Sequence, residues 1–482
     1  MDRRLPVVFL ELNELTPAIM DRFIAEGQLP NFKRLRDRSE VFTTDAEEPP
    51  PYLEPWIQWV TVHTGVPYSE HGVYRLSEGH KIGQKCIWDL VSQAGEVVWV
   101  CGSMNCRYDR GTRGWVLPDP WSTDVAPYPD ALLPYLHFVQ RNVQEYTSDR
   151  VPLGRRDYLK FLGFMAGHGL SAATAASIVQ QLIAEKRTRR GGWRRAFILE
   201  KLQLDLFSAM YRRLKPSFST FFLNSTAHMQ HCYWRYMEPE LFKLPISTDK
   251  QREYQNAILE GYRAMDKLIG RILKLVGDDA VIVMATALSQ QPCLVYEEQG
   301  GKQSYRPKDF ADLMTFAGIT SAYQVSPVMA EQFWLKMENP SDAIEAETQL
   351  GALMVGEQKA MAIRRGGNDL FVACGIKQAV PQNSALQVAN SDRSTPFFEL
   401  FYPLEGGKSG MHHPDGILWV RHPQRAPAAH GEKVGLLTVA PTILDVLGIE
   451  KPEYMKGTSL YSRVTPVSPR TREAEVAQRK SA

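Results

Sequence analysis

Eleven histidines are scattered along this chain, and a few of them stand where imidazole chemistry is possible. His228 and His231 form an H-x-x-H pair, a spacing that puts both rings on one face of a helix. His412 and His413 are adjacent, just ahead of an apolar run. His228, His231 and His412 together would supply three imidazoles, the number found in an open zinc site that keeps its fourth position for substrate or water. The competing reading leaves His231 and His412 as hydrogen-bonded pocket residues and turns His228 to solvent. A second set is polar, with Glu11 near the end of the run VVFLEL, Asn13 and Glu14 just after it, and Glu54 ahead of Pro55. Carboxylates at strand ends act as general bases or metal ligands, or else they cap helix N-termini.

These residues need a scaffold, and the hydrophobic pattern describes one. Val7 to Leu12, Phe218 to Leu223, Ala280 to Ala285 and Gly416 to Arg421 are short apolar runs of the kind that form strands buried on both faces. Helical stretches separate them. Thr16 to Glu26 reads as a helix with Thr16 at the N-cap, Pro17 in first position and Gly27 closing it, and a second helix covers Asn31 to Arg38. Strands alternating with helices predict a three-layer α/β/α domain around a mostly parallel sheet. The core is expected over 1–124, 216–294 and 396–462, with a helical insertion at 125–215, a mixed insertion at 295–395 and a disordered tail at 463–482.

The bulk composition excludes several classes. Of 482 residues, 44% are hydrophobic and 23% charged, ordinary for a soluble globular protein. A net charge of +2 gives no global field for nucleic acid. No apolar run reaches the ~18 residues of a spanning helix, and the N-terminus lacks the pattern of a signal peptide. Six cysteines without a CxxC pair read as reduced thiols, which predicts a cytoplasmic protein. One local exception is the basic run Lys186 to Arg195, with Arg212, Arg213 and Lys215 after it. It reads as a solvated helical face, or as a patch for an anionic substrate or an acidic membrane surface.

Four segments, in order, resemble the alkaline phosphatase superfamily on its type I phosphodiesterase/nucleotide pyrophosphatase branch. They are Val7 to Leu35 (with Gly27, Leu29, Pro30, Asn31), Pro55 to Val73 (with Thr64, Gly65, Pro67, His71, Gly72), Ala227 to Pro239, and Gly410 to Leu460 (with Ala440, Pro441, Thr442, Gly457). The resemblance implies an alkaline phosphatase-like fold and a two-metal site at the C-terminal ends of the strands, with an alcohol nucleophile. Carried over residue by residue, its first Asp falls on Asn13 and its nucleophile on Pro55. A second Asp falls on Ala227, and an Asp-His pair falls on Ala287 and Leu288. Of seven positions, only the two histidines, His231 and His412, are kept. Apolar groups cannot balance a pair of dications.

The resemblance therefore implies a repurposed member acting on a small anionic ester, phosphate- or sulfate-like, with one divalent metal (zinc, by ligand type) or none. In that reading His231 and His412 hold the metal, Glu11, Asn13, Glu54, His63 and His228 are catalytic candidates, and Glu14 and His413 contact substrate. His63 stands where the family has a small apolar residue. It is either a new general base or a partly buried helix residue. Two alternatives remain: a non-catalytic relative that binds an anionic ligand or partner protein, and an ordinary metal-dependent phosphodiesterase with its nucleophile elsewhere. Oligomeric state is not encoded legibly.

Overall fold

The computed structural model describes residues 5–147, 153–188, 190–295, 297–299, 303–327, 331–404 and 408–462. The expected tail at 463–482 lies outside them, as does Arg189 of the basic run.

The apolar runs form one twisted sheet. Val7–Leu12 lies at its centre, parallel to Phe218–Leu223 on one side and to Val281–Ala285 on the other. Val98–Cys101 and Gly114–Leu117 extend it in parallel beyond Phe218–Leu223. On the opposite flank Asp415–Arg421 pairs antiparallel with both Val281–Ala285 and Glu40–Asp45. The sheet is thus mostly parallel with a reversed strand near one edge. The apolar run from Gly416 gives no direction, because a strand buried on both faces reads the same either way.

Alternation along Val7–Leu12 divides the interior in two. Val8, Leu10 and Leu12 join a core built with the helices Pro17–Ala25, Pro30–Arg36, Arg195–Leu214 and Ala257–Val276. Val7 and Phe9 join the opposite core with Pro55–Thr64, Ile87–Gln93 and Val439–Val446. Helices on both faces complete the three layers expected of a mostly parallel sheet. Thr16 does sit at the N-cap of Pro17–Ala25, but its hydroxyl donates to the Gln290 carbonyl at 2.9 Å instead of capping the helix.

Two stretches of the chain contribute no strand to this sheet. Four helices fill the first: Leu133–Thr147, Arg155–Gly167, Ala172–Thr188 and Arg195–Leu214. The second has its own core, running from Tyr305 to Phe401, beneath small antiparallel sheets. Among the described residues no helix is long and apolar enough to cross a membrane.

Candidate metal centre

The parallel strands Val7–Leu12, Phe218–Leu223 and Val281–Ala285 end together, and the turns that follow them carry Asn13-Glu14, Asn224 and Ala287-Leu288. Glu14 takes a left-handed backbone conformation at φ 60°. That costs a residue with a Cβ about 1 kcal/mol, and its N–H donates to the Thr286 carbonyl at 3.2 Å, which holds the turn. The conformation places a fully buried carboxylate between two imidazoles. Glu14 Oε2 lies 3.0 Å from His231 Nε2 and 3.5 Å from His412 Nε2.

His231 reaches this point from the helix Ser225–Met237. Its Nδ1 is 2.9 Å from the Gly410 carbonyl, an acceptor only, so the Nδ1 carries a proton and Nε2 is the nitrogen turned to Glu14. A side chain at position 410 could not allow this approach, since a Cβ there would fall 2.4 Å from Gln290 Oε1 and 2.6 Å from the Gln230 carbonyl. His412 arrives from the strand Gly410–His413, which pairs antiparallel with Ser289–Pro292 so that His412 opposes Gln290.

The three ligand atoms lie within 4.8 Å of one another. A tetrahedral ion with bonds of ~2.1 Å would set its ligand atoms about 3.4 Å apart, close to the two spacings seen here. Two imidazole nitrogens and one carboxylate oxygen form the donor set of a zinc-type site, and the residues fit such an ion. Their electrostatics agree. Burial alone would raise the Glu14 carboxyl, but His231 and His412 beside it, with hydrogen bonds from His231 and Gln290, bring its pKa down to about 2. Burial pushes His412 down to about 3, against the pull of Glu14. Near neutral pH Glu14 is therefore an anion and His412 a neutral imidazole, the forms a metal requires.

A shell of amides holds the carboxylate. Gln290 Nε2 donates to Glu14 Oε2 at 2.5 Å and to the Ala227 carbonyl at 3.0 Å, so one amide ties the carboxylate to the helical turn at Ala227. Gln230 Nε2 donates to the Glu14 carbonyl at 2.8 Å, and its oxygen accepts from the Tyr262 hydroxyl at 2.7 Å. Asn13 Nδ2 donates to Glu14 Oε1 and to Asn224 Oδ1, both at 2.7 Å.

The other candidates fall in different places. Glu54, at the N-cap of Pro55–Thr64, brings Oε2 to 3.3 Å from His412 Nδ1 and is 30% exposed, so it stands at the mouth of the centre. His228 is exposed on the same helix, turned 3.7 Å from the Cys232 sulfur, and does not join His231 and His412. A carboxylate, not a third imidazole, completes the group. His413 points away from it by strand alternation and accepts the Asp415 N–H at 3.1 Å.

Glu11 and His63 meet each other instead of the centre. On the Val7–Leu12 strand Glu11 faces the same side as Phe9, and its Oε1 lies 2.8 Å from His63 Nε2 with both side chains fully buried. Trp59 and Trp88 flank the imidazole. Ala287 and Leu288 are fully buried and belong to the apolar core. The arginines of the basic run are partly spent internally: Arg194 forms a two-pronged pair with Glu260 at 2.6 and 2.7 Å, and Arg195 pairs with Glu185 at 2.5 Å.

A search of curated protein sequences returned no match. Among solved structures, phosphonoacetate hydrolase from Sinorhizobium meliloti 1021 in complex with phosphonoformate is 12% identical, covering 92% of this chain and 96% of that one, with a TM-score of 0.41. The same hydrolase with phosphonoacetate is 13% identical over the same shares, with a TM-score of 0.38. The family model for type I phosphodiesterase / nucleotide pyrophosphatase matches residues 7–287, more than half of the chain, and the chain belongs to that family.

Proposed function

We propose that this chain is a hydrolase of phosphorus esters that works with a single divalent ion, zinc by its ligand type, held by Glu14, His231 and His412. The observation that carries the reading is Nε2 of His231 aimed at Glu14 Oε2, with its other nitrogen tied to Gly410. Such an ion supplies Lewis-acid polarisation of a phosphoryl oxygen and neutralises the charge that builds on it.

The chain's own residues do the rest. Pro55 has no hydroxyl to attack phosphorus, so water is the nucleophile. Glu54, half-buried at the mouth and braced against His412, accepts the proton of that water. The Asn13, Gln290 and Gln230 amides keep the Glu14 carboxylate fixed while the ester binds. Ala227, Ala287 and Leu288 stand where the resemblance sets carboxylate and imidazole, which favours one ion over two. A second reading, a binding protein without turnover, draws on the same three residues.

Metal-free protein reloaded with zinc and given bis(p-nitrophenyl) phosphate tests the proposal. The expected result is zinc-dependent release of nitrophenol that falls at least about 100-fold in Glu14→Ala and in Glu54→Gln. Tight zinc binding without turnover of a diester, a monoester or a phosphonate would favour the binding protein.

A further inference from the structure

The helical insertion leaves an apolar surface unpaired. Six of the eleven large hydrophobic side chains exposed among the described residues lie between Tyr158 and Ile183. Leu159 and Leu162 on Arg155–Gly167, and Val179, Leu182 and Ile183 on Ala172–Thr188, are between 41% and 69% exposed. Leu159 and Leu162, like Val179, Leu182 and Ile183, follow the three- and four-residue steps of one helix face. Ala172–Thr188 buries a single described residue, Thr174, over 17 positions. A helix so lightly packed draws little stability from its own domain.

Charge accompanies these faces. Arg155, Arg156 and Lys160 stand on the first helix, and Lys186 and Arg187 end the second. All five are exposed, and none has an acidic partner within 4.0 Å among the described residues. The acids of the same helices are already engaged, Asp157 with Arg141 and Glu185 with Arg195. Apolar side chains beside unneutralised basic ones complement an anionic bilayer, which offers acyl chains just below a layer of negative headgroups.

We propose that the exposed faces of Arg155–Gly167 and Ala172–Thr188 dock the chain peripherally on anionic phospholipid membranes. The contact lies outside the metal centre and does not depend on it.

Co-sedimentation of the full chain with vesicles of phosphatidylcholine, alone or mixed with phosphatidylserine, is the test. The chain is expected to pellet with the mixed vesicles, to stay in solution with pure phosphatidylcholine, and to be released as salt rises. Lys186→Glu/Arg187→Glu should weaken binding at least about tenfold, and Val179→Ser/Ile183→Ser likewise. Leu159→Ser/Leu162→Ser probes the first helix separately, and each variant is checked for an unchanged melting temperature. No pelleting with either vesicle, equal pelleting with both, or unaltered binding in all three variants overturns the proposal. A concentration-dependent dimer that Val179→Ser/Ile183→Ser abolishes, without vesicle binding, would assign the surface to a second copy of the chain.

Discussion

Asn13 Nδ2 lies 2.7 Å from Glu14 Oε1, and this contact gives a reason for an amide where the resemblance would set an acid. Trp59 Nε1, which can only donate, lies 2.7 Å from Asn13 Oδ1, so the amide's orientation is determined and its NH2 must face Glu14 and Asn224. An acid at position 13 would oppose two acceptors at once.

Asn13→Asp is therefore expected to weaken zinc binding by about 10- to 100-fold, the usual effect of losing a partner that orients a ligand. Competition with a chromogenic chelator measures it. Tighter binding in Asn13→Asp would mean that the acid acts as a ligand and that the amide does not position Glu14.

The Glu11–His63 pair is expected to serve folding and not turnover. His63→Leu leaves Glu11 buried without a partner and should cost about 3–5 kcal/mol, whereas Glu11→Leu/His63→Leu should recover most of that loss. Denaturant unfolding checks the first effect and ester hydrolysis the second. A double variant that is stable yet inactive would return the pair to catalysis.

What was legible in the sequence follows from these contacts. Apolar runs and their order located the strands, and so the ridge of turns where Asn13, Glu14, Asn224 and Ala287 converge. Matching to the family retained His231 and His412 but left the carboxylate of Ala227 without a successor. Its replacement, Glu14, comes from another strand and reaches the imidazoles only through a left-handed turn, a conformation that no spacing signals. Glu11 was drawn toward the site by its place near a strand end, yet alternation sends it into the opposite core beside His63. His228 shows the limit of H-x-x-H. A separation of three still leaves about 60° between the two side chains, and here that rotation carries one ring out to Cys232.

Stability should also fall toward alkaline pH because of Glu200. This carboxyl is buried, accepts the Ser225 hydroxyl at 2.5 Å, and is raised to about 7, chiefly by burial. Since the folded value lies above the ordinary glutamate value of 4.5, its contribution is complete below about pH 4.5 and is lost as pH rises through about 7. Glu200→Gln keeps the acceptor and removes the charge, so it should stabilise the chain by up to ~3 kcal/mol at pH 8 and little at pH 5. Thermal unfolding at the two pH values measures the difference. Equal effects at both would show that ionisation of Glu200 is not the cause.

One ion held by Glu14, His231 and His412 is tested most directly by the metal content of the purified chain, measured by elemental mass spectrometry after dialysis. About one zinc per chain is expected, lost in Glu14→Ala and in His231→Ala and retained in His228→Ala. Two ions per chain, or one that survives Glu14→Ala, would contradict it.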